Sequence, residues 1–186
     1  MFALACNSLA PIVRDTRCWN RVALHHMTYR QLREKFPEMG SQMACNAIYS
    51  VSRAARMVYQ GAVSPFNLAR WGDKPVPVIQ FGAESPVYFD RHTLSIKDAQ
   101  LSMFTLDGRM RFELKIKPED EQRFHAQKLQ EIVLSRVPEH YLLHFSFAPA
   151  GAQGEAPAMD AAELPEYIVM FDDADQNQNA IFESLP

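Results

Sequence analysis

A chain of 186 residues with 47% hydrophobic and 22% charged residues has the composition of a globular protein with one domain or two small ones. No apolar run approaches the length of about 18 residues that a membrane span needs, and the N-terminus lacks the basic start of a signal peptide. Three cysteines without close spacing argue against a disulfide framework or a zinc knuckle. We therefore expect a cytoplasmic protein with no membrane partner.

The net charge of −3 conceals a strong asymmetry along the chain. Residues 1–117 carry 16 Lys and Arg against 9 Asp and Glu, whereas residues 118–186 carry 3 against 13. The first part therefore has a net charge of +7 and the second part −10. Two interpretations stay open: two solvated surfaces of opposite sign, or a body that binds a polyanion and an acidic end that covers it or meets another partner.

Helical spacing of apolar residues predicts helices over about residues 2–26, 28–36 and 41–59. Thr28 and Ser41 have the chemistry of N-cap residues for the second and third helices. In the third helix the small apolar residues recur on one face, whereas Arg53 and Arg56 leave that face. We expect the two arginines to be exposed, and we expect burial of Ala47, Ile48, Val51 and Ala55.

The hydrophobic period changes after the Gly- and Pro-rich connector at residues 60–75. Short runs of β-branched and aromatic residues predict at least five antiparallel strands between residues 76 and 147. Leu106–Arg109 contains the Asp-Gly pair of a tight hairpin turn, and Pro118 is typical of the first position of a short helix. A further strand is expected at residues 167–171.

These patterns predict an α+β fold: an N-terminal helical bundle, then a small antiparallel β-barrel or curved sheet, then an acidic C-terminal tail. The expected regions are 1–72 (helical), 73–147 (barrel-like) and 148–186 (acidic linker and tail).

The order of several motifs resembles the N-terminal half of the TnpB-type transposon-encoded RNA-guided nucleases, which are relatives of the type V CRISPR effectors. The resemblance covers about residues 4–147. It is carried by Asn7, Tyr29 with Arg33 and Phe36, Gln42–Val51, Tyr88–Ser95 and Leu106–Arg109.

In that family the helices form a recognition lobe and the strands form a wedge-like barrel, and together they hold guide RNA and its heteroduplex with the target. Catalysis belongs to a RuvC-like domain whose acidic residues bind divalent metal. Asp172 or Asp173 stands near the position of the first of these acids, but the glycines around it and the later acidic motifs are absent from this sequence. Since two-metal chemistry needs several converging carboxylates, we expect a protein without nuclease activity and without a cofactor.

The candidate nucleic-acid surface consists of arginines, whose planar guanidinium groups match phosphate oxygens, and of aromatic rings that can stack on bases. Its predicted members are Arg14, Arg17, Arg21, Arg30, Arg33, Arg53, Arg56, Trp19 and Tyr29. A solvated helical surface over an aromatic core and a protein-binding surface remain alternative interpretations of the same residues.

Other chemistry-bearing residues give weaker signals. His25 and His26 are adjacent, so a helix points them about 100° apart and away from a shared metal. Asp172, Asp173 and Asp175 could bind a cation, mimic a phosphate strand or form a solvated tail.

Two functions follow from this sequence. The first is a non-catalytic module that binds RNA or DNA, such as a guide-like RNA or a heteroduplex, through phosphate contacts. The alternative is a protein-interaction regulator, an inhibitor or accessory subunit of a nuclease or CRISPR complex, which the acidic pI of about 6.1 favours.

Overall fold

The computed structural model describes residues 1–72 and 74–148, together with the backbone of Tyr167–Met170. None of the helices in this part of the chain has both the length and the apolar character needed to cross a bilayer. The helices are α1 (Phe2–Thr16), α2 (Arg21–Lys35), α3 (Ser41–Gln60), α4 (Leu68–Trp71) and α5 (Pro118–Ala126). The strands are β1 (Val78–Phe81), β2 (Val87–Phe89), β3 (Leu94–Lys97), β4 (Gln100–Thr105), β5 (Gly108–Glu113), β6 (Leu129–Val137), β7 (His140–Phe147) and β8 (Tyr167–Met170).

The strands form three small antiparallel sheets, with the orders β2-β6-β7, β3-β4-β5 and β1-β8. The α+β class, the predicted minimum of five strands, the short helix at Pro118 and the strand near residue 167 are therefore confirmed. Gly108, with φ 91°, ends the predicted hairpin turn between β4 and β5. The described strands remain separate sheets and do not show a closed barrel.

The predicted boundary between the first two helices is wrong by about ten residues. α1 ends at Thr16, and Arg17 takes a left-handed conformation with φ 49°. Asn20 then caps α2, because its side-chain oxygen accepts hydrogen bonds from the backbone N–H groups of Val22 (3.0 Å) and Ala23 (3.1 Å). Two helices of 15 residues therefore replace the predicted 2–26 and 28–36.

The two predicted cap residues do not act as caps. Thr28 lies inside α2, where its hydroxyl donates to the carbonyl of Leu24 at 2.7 Å. Ser41 is the first residue of α3, Gly40 precedes it at the cap position, and no side chain caps this end. A Ser or Thr inside a helix can hydrogen-bond to the backbone of that helix, so its presence in the sequence does not by itself mark an N-cap.

α2 and α3 pack side by side in opposite directions. The guanidinium of Arg21 lies 4.7 Å from the ring centre of Tyr49, and Nε2 of His25 lies 3.8 Å from Sγ of Cys45. Residue numbers therefore fall along α3 as they rise along α2. This antiparallel packing decides which predicted site residues can meet.

The apolar face of α3 is buried as predicted. Ala47, Ile48, Val51 and Ala55 all lie in the first hydrophobic core, which α1, α2, α3 and β1 build. Ile79 and Phe81 of β1 belong to this same core, so the core of the helical region extends past residue 72. A second core is built from residues of the sheets β2-β6-β7 and β3-β4-β5 together with the buried Phe124 of α5.

Ala47→Leu should lower the free energy of unfolding by about 1–3 kcal/mol, because the added carbon atoms have no space in a fully buried helix contact. Chemical denaturation followed by circular dichroism measures this loss. Gln60→Leu, on the exposed end of the same helix, is the control and should change little. An Ala47→Leu variant as stable as the unmodified protein would contradict the close packing.

Candidate nucleic-acid interface

Three helix ends meet at one end of the helical region. α1 and α3 run in the same direction, since Cys6 in the first half of α1 contacts Ala47 in the first half of α3, whereas Trp19, just beyond the end of α1, packs against Tyr59 near the end of α3. With α2 antiparallel to α3, the C-termini of α1 and α3 lie beside the N-terminus of α2. The short connection at residues 17–20 crosses this end.

An open depression of about 490 Å³ lies at this end. Its lining residues are Arg17, Cys18, Trp19, Asn20, Arg56 and Gln60. Together with Arg14, the predicted residues Arg17, Trp19 and Arg56 form what we call the basic end. Sequence segments that are 37 residues apart, at Trp19 and Arg56, thus contribute to one surface.

Trp19 is fixed by its backbone and by its ring. Its carbonyl oxygen accepts a hydrogen bond from the Ser52 hydroxyl at 2.6 Å and one from Nε of Arg56 at 3.4 Å. Its ring is tilted by 45° against Tyr59 with 5.9 Å between centres. These contacts hold the partly buried indole in the lining of the depression.

The basic end includes an acidic neighbour that offsets part of its positive charge. Asp15 pairs with Arg14 through a 2.7 Å contact between Oδ1 and Nε. Burial raises the pKa of Tyr59 to about 12, against the opposing effect of the positive charge of Arg14, so this phenol stays neutral. Part of the arginine charge offsets the negative C-terminal ends of α1 and α3, whereas the N-terminus of α2 adds positive partial charge.

Arg21 is a structural ion-pair partner. Its Nη2 donates to Oδ2 of Asp90 at 3.1 Å, while its guanidinium covers the ring of Tyr49. Burial opposes ionisation of Asp90, but hydrogen bonds from Arg21 and Thr93 and the charge of Arg21 outweigh it and hold the pKa of Asp90 below its usual value. This pair joins α2 to the turn after β2.

Arg53 is not exposed, contrary to the prediction. Its side chain is 14% exposed and makes two contacts with Glu131 of β6, from Nε to Oε1 at 2.7 Å and from Nη2 to Oε2 at 3.4 Å. The hydroxyl of Tyr49 also donates to Glu131 at 3.3 Å. Arg56 is half-buried rather than exposed as well. The helix face that was expected to meet solvent instead faces a sheet and the connection at Trp19.

Arg30, Arg33 and Tyr29 lie toward the other end of α2. Arg33 lies eight residues beyond His25 in α2, and Arg53 lies eight residues beyond Cys45 in α3. Because His25 contacts Cys45 and the two helices run in opposite directions, Arg33 and Arg53 are separated by about 24 Å along the helix axes. Arg30 is 93% exposed and pairs with Glu34 at 3.1 Å. The ring of Tyr29 stacks on His25 at 4.7 Å between centres. Arg53 and Arg56 therefore do not lie beside Arg30 and Arg33, and the nine candidate residues do not form one continuous surface.

Of the nine predicted residues, the structure brings four together at the basic end and uses two in ion pairs between the helices and the sheets. Sequence reasoning missed Cys18, Asn20 and Gln60 in the lining of the depression. Asn20 could have been found, because an Asn directly before an apolar-periodic segment is a strong start signal for a helix.

Among the described residues, no group of three or more His, Cys, Asp or Glu side chains is placed to hold a metal ion. Cys45 and His25 form only a pair. Burial raises the pKa of the Cys45 thiol despite the opposing charge of Arg21, which disfavours the thiolate that metal binding or nucleophilic attack requires. The acidic residues Asp172, Asp173 and Asp175 lie outside the described residues.

No protein-family model, curated protein or solved structure matches this chain. The resemblance to the TnpB-type nucleases therefore stays a prediction from the motifs.

Proposed function

We propose that the protein is a non-catalytic nucleic-acid-binding module, related to the TnpB-like RNA-guided nucleases, which contacts the phosphates of RNA or a duplex with its basic end. The observation that carries the proposal is the open depression whose lining includes Arg17, Arg56 and Trp19. Guanidinium groups suit phosphate oxygens, and the indole offers an apolar face to a base or sugar. Contacts of this kind bind without strong sequence preference.

The expected salt dependence is moderate. Three arginine–phosphate contacts, from Arg14, Arg17 and Arg56, correspond to a slope of about −3 in a plot of log affinity against log salt for duplex DNA. Binding should therefore be measurable at low salt and weak at physiological salt. A larger guide-like RNA could add contacts from Arg30, which is exposed on α2.

Arg17→Gln combined with Arg56→Gln should flatten this slope by about two, because each lost phosphate contact removes about 0.9. Fluorescence anisotropy with labelled duplex DNA and labelled RNA over a salt series measures the slope. Arg30→Gln is the matched control at the other end of α2 and should affect duplex binding less. Arg53 is unsuitable for this test, since its loss would disturb the fold.

An unchanged slope in the double variant, at an unchanged melting temperature, would remove the basic end as the site. Failure of the unmodified protein to bind either nucleic acid at low salt would refute the proposed function itself.

The acidic C-terminal part is proposed to compete for the basic end. Residues 157–186 contain seven Asp and Glu and no Lys or Arg, and the tether keeps their local concentration high. Deleting this whole part would also remove β8, the partner of β1. Asp172→Asn, Asp173→Asn and Asp175→Asn together are the sharper change, and they should tighten nucleic-acid binding because less negative charge then competes for the basic end.

The alternative function, a protein-interaction regulator of a nuclease or CRISPR complex, is favoured by a different observation. One strand at the edge of the β3-β4-β5 sheet is exposed along its whole length.

A further inference from the structure

β5 is an edge strand with both faces in solvent. All six residues from Gly108 to Glu113 are exposed, and within the described chain β5 pairs only with β4. Natural proteins usually shield such edges, because their unpaired backbone groups can pair with another chain. The exposed edge is therefore a candidate docking surface for an extended segment.

The hydrogen-bonding groups of the free edge follow from the register. The β4–β5 hairpin pairs Thr105 with Gly108, and the N–H of Leu114, beyond β5, donates to the carbonyl of Ala99 at 2.8 Å. In an antiparallel ladder the bonded pairs alternate, so the even-numbered residues of β5 direct their backbone groups toward β4. The N–H and C=O groups of Arg109, Arg111 and Glu113 therefore point away from β4 in the plane of the sheet, where an added strand would pair with them.

The apolar face of β5 extends the second core into solvent. In the register, Phe112 lies beside the buried Leu101, and Met110 lies beside the buried Met103. Phe112 and Met110 are nevertheless 40% and 41% exposed. An added strand with apolar residues opposite Met110 and Phe112 would reduce the exposure of these two side chains.

The opposite face of β5 carries charge. Arg109 is already engaged, since it donates to the Ser102 hydroxyl and covers the ring of Phe104 at 4.3 Å. Arg111 has no hydrogen bond or ion pair within the described residues, and Glu113 follows on the same face. An added strand would thus gain from an acidic residue opposite Arg111 and from a basic one opposite Glu113.

We infer that β5 is a docking edge for an extended segment of a partner protein in which apolar residues alternate with acidic ones. The outward backbone groups supply the pairing, Met110 and Phe112 select the apolar positions, and Arg111 selects the acid between them. The β5 edge would recognise the backbone of a peptide, whereas the basic end presents arginine side chains and the indole of Trp19. The inference does not depend on nucleic-acid binding.

A labelled peptide with the core Lys-Val-Glu-Ile-Glu tests the inference. In antiparallel register it places Lys opposite Glu113, Val opposite Phe112 and Glu opposite Arg111. Fluorescence anisotropy with the full-length protein should show saturable binding with a Kd below about 1 mM. A peptide of the same composition without alternation should bind at least tenfold more weakly.

Two changes separate strand pairing from simple charge attraction. N-methylation of the peptide amides that would face β5 should abolish binding, because it removes the donors and leaves the charge unchanged. Arg111→Glu should weaken binding about fivefold, and a peptide with Lys in place of the central Glu should bind this variant better than it binds the unmodified protein. Lys97→Glu, on the same face of the sheet but on β3, is the matched control and should leave binding unchanged.

Three results would overturn the inference: no saturable binding up to about 1 mM, equal binding of the N-methylated peptide, or displacement of the peptide by duplex DNA or RNA. The last result would show that the peptide occupies a polyanion-binding surface and not a strand edge. None of these outcomes bears on the salt slope at the basic end, so failure here and failure of the proposed function are distinguishable.

Discussion

We expect Arg53→Met to lower the free energy of unfolding by about 3–5 kcal/mol, because it leaves the carboxylate of Glu131 buried without its charged partner. The Glu131 side chain is only 8% exposed, and its remaining bond comes from the hydroxyl of Tyr49 at 3.3 Å. Methionine retains most of the apolar length of arginine, so the lost free energy of unfolding reflects the missing ion pair and not a cavity. Denaturant unfolding at neutral pH measures it.

Arg53→Met combined with Glu131→Leu should recover most of this loss, since a buried ion pair replaced by apolar residues is often neutral in stability. Arg30→Met is the control, because its exposed pair with Glu34 contributes about 0.5 kcal/mol or less. Arg53→Met with a loss no greater than that of Arg30→Met would show that Glu131 finds compensation elsewhere.

Asn7→Leu should cost about 2–4 kcal/mol, because it leaves two backbone groups without partners. The side chain of Asn7 donates from Nδ2 to the carbonyl of Phe81 at 2.9 Å, and the N–H of Phe81 donates to Oδ1 of Asn7 at 2.6 Å. The side-chain amide of Asn7 thus attaches α1 to the edge of β1 that faces away from β8. Gln80→Leu, exposed on the same strand, is the control and should change stability little.

Asn7→Asp should give a loss that depends on pH. An ionised carboxyl at position 7 still accepts from the N–H of Phe81 but repels the Phe81 carbonyl, so its folded-state pKa should rise above the unfolded value of about 3.9. The penalty is then present at neutral pH and shrinks as pH falls through the raised pKa, where the protonated group donates again. Thermal unfolding at neutral and mildly acidic pH should show this convergence with the unmodified protein, and a constant difference would contradict the two-bond geometry.

The sequence predicts the local architecture well where one periodic signal dominates. The burial of Ala47, Ile48, Val51 and Ala55 follows from helical spacing, and the β4–β5 hairpin follows from its Asp-Gly turn. Boundaries were less predictable, because Asn20 and Thr28 both have cap chemistry and only tertiary packing decides between them.

The candidate site was predictable in composition but not in arrangement. Charge on one helix face predicted that Arg53 would meet solvent, whereas its partner Glu131 lies 78 positions later in the chain. Likewise, no local pattern indicates that Arg17 and Arg56 flank one depression, since this requires α1 and α3 to be parallel. The clustering of arginines and aromatic rings in the helical region indicates the residue types, and the antiparallel packing of α2 then separates Arg30 and Arg33 from the others.

The ion pairs between the helices and the sheets have a consequence for synthesis of the chain. Arg21 and Arg53 precede Asp90 and Glu131 by 69 and 78 residues. At a translation rate of about 5–20 residues per second, each arginine is made roughly 3–16 s before its partner exists. For the first seconds after their synthesis, α2 and α3 therefore each contain an arginine whose native partner has not yet been made. β1 is also synthesised after all three helices, so Asn7 of α1 has to wait for its hydrogen-bond partner Phe81.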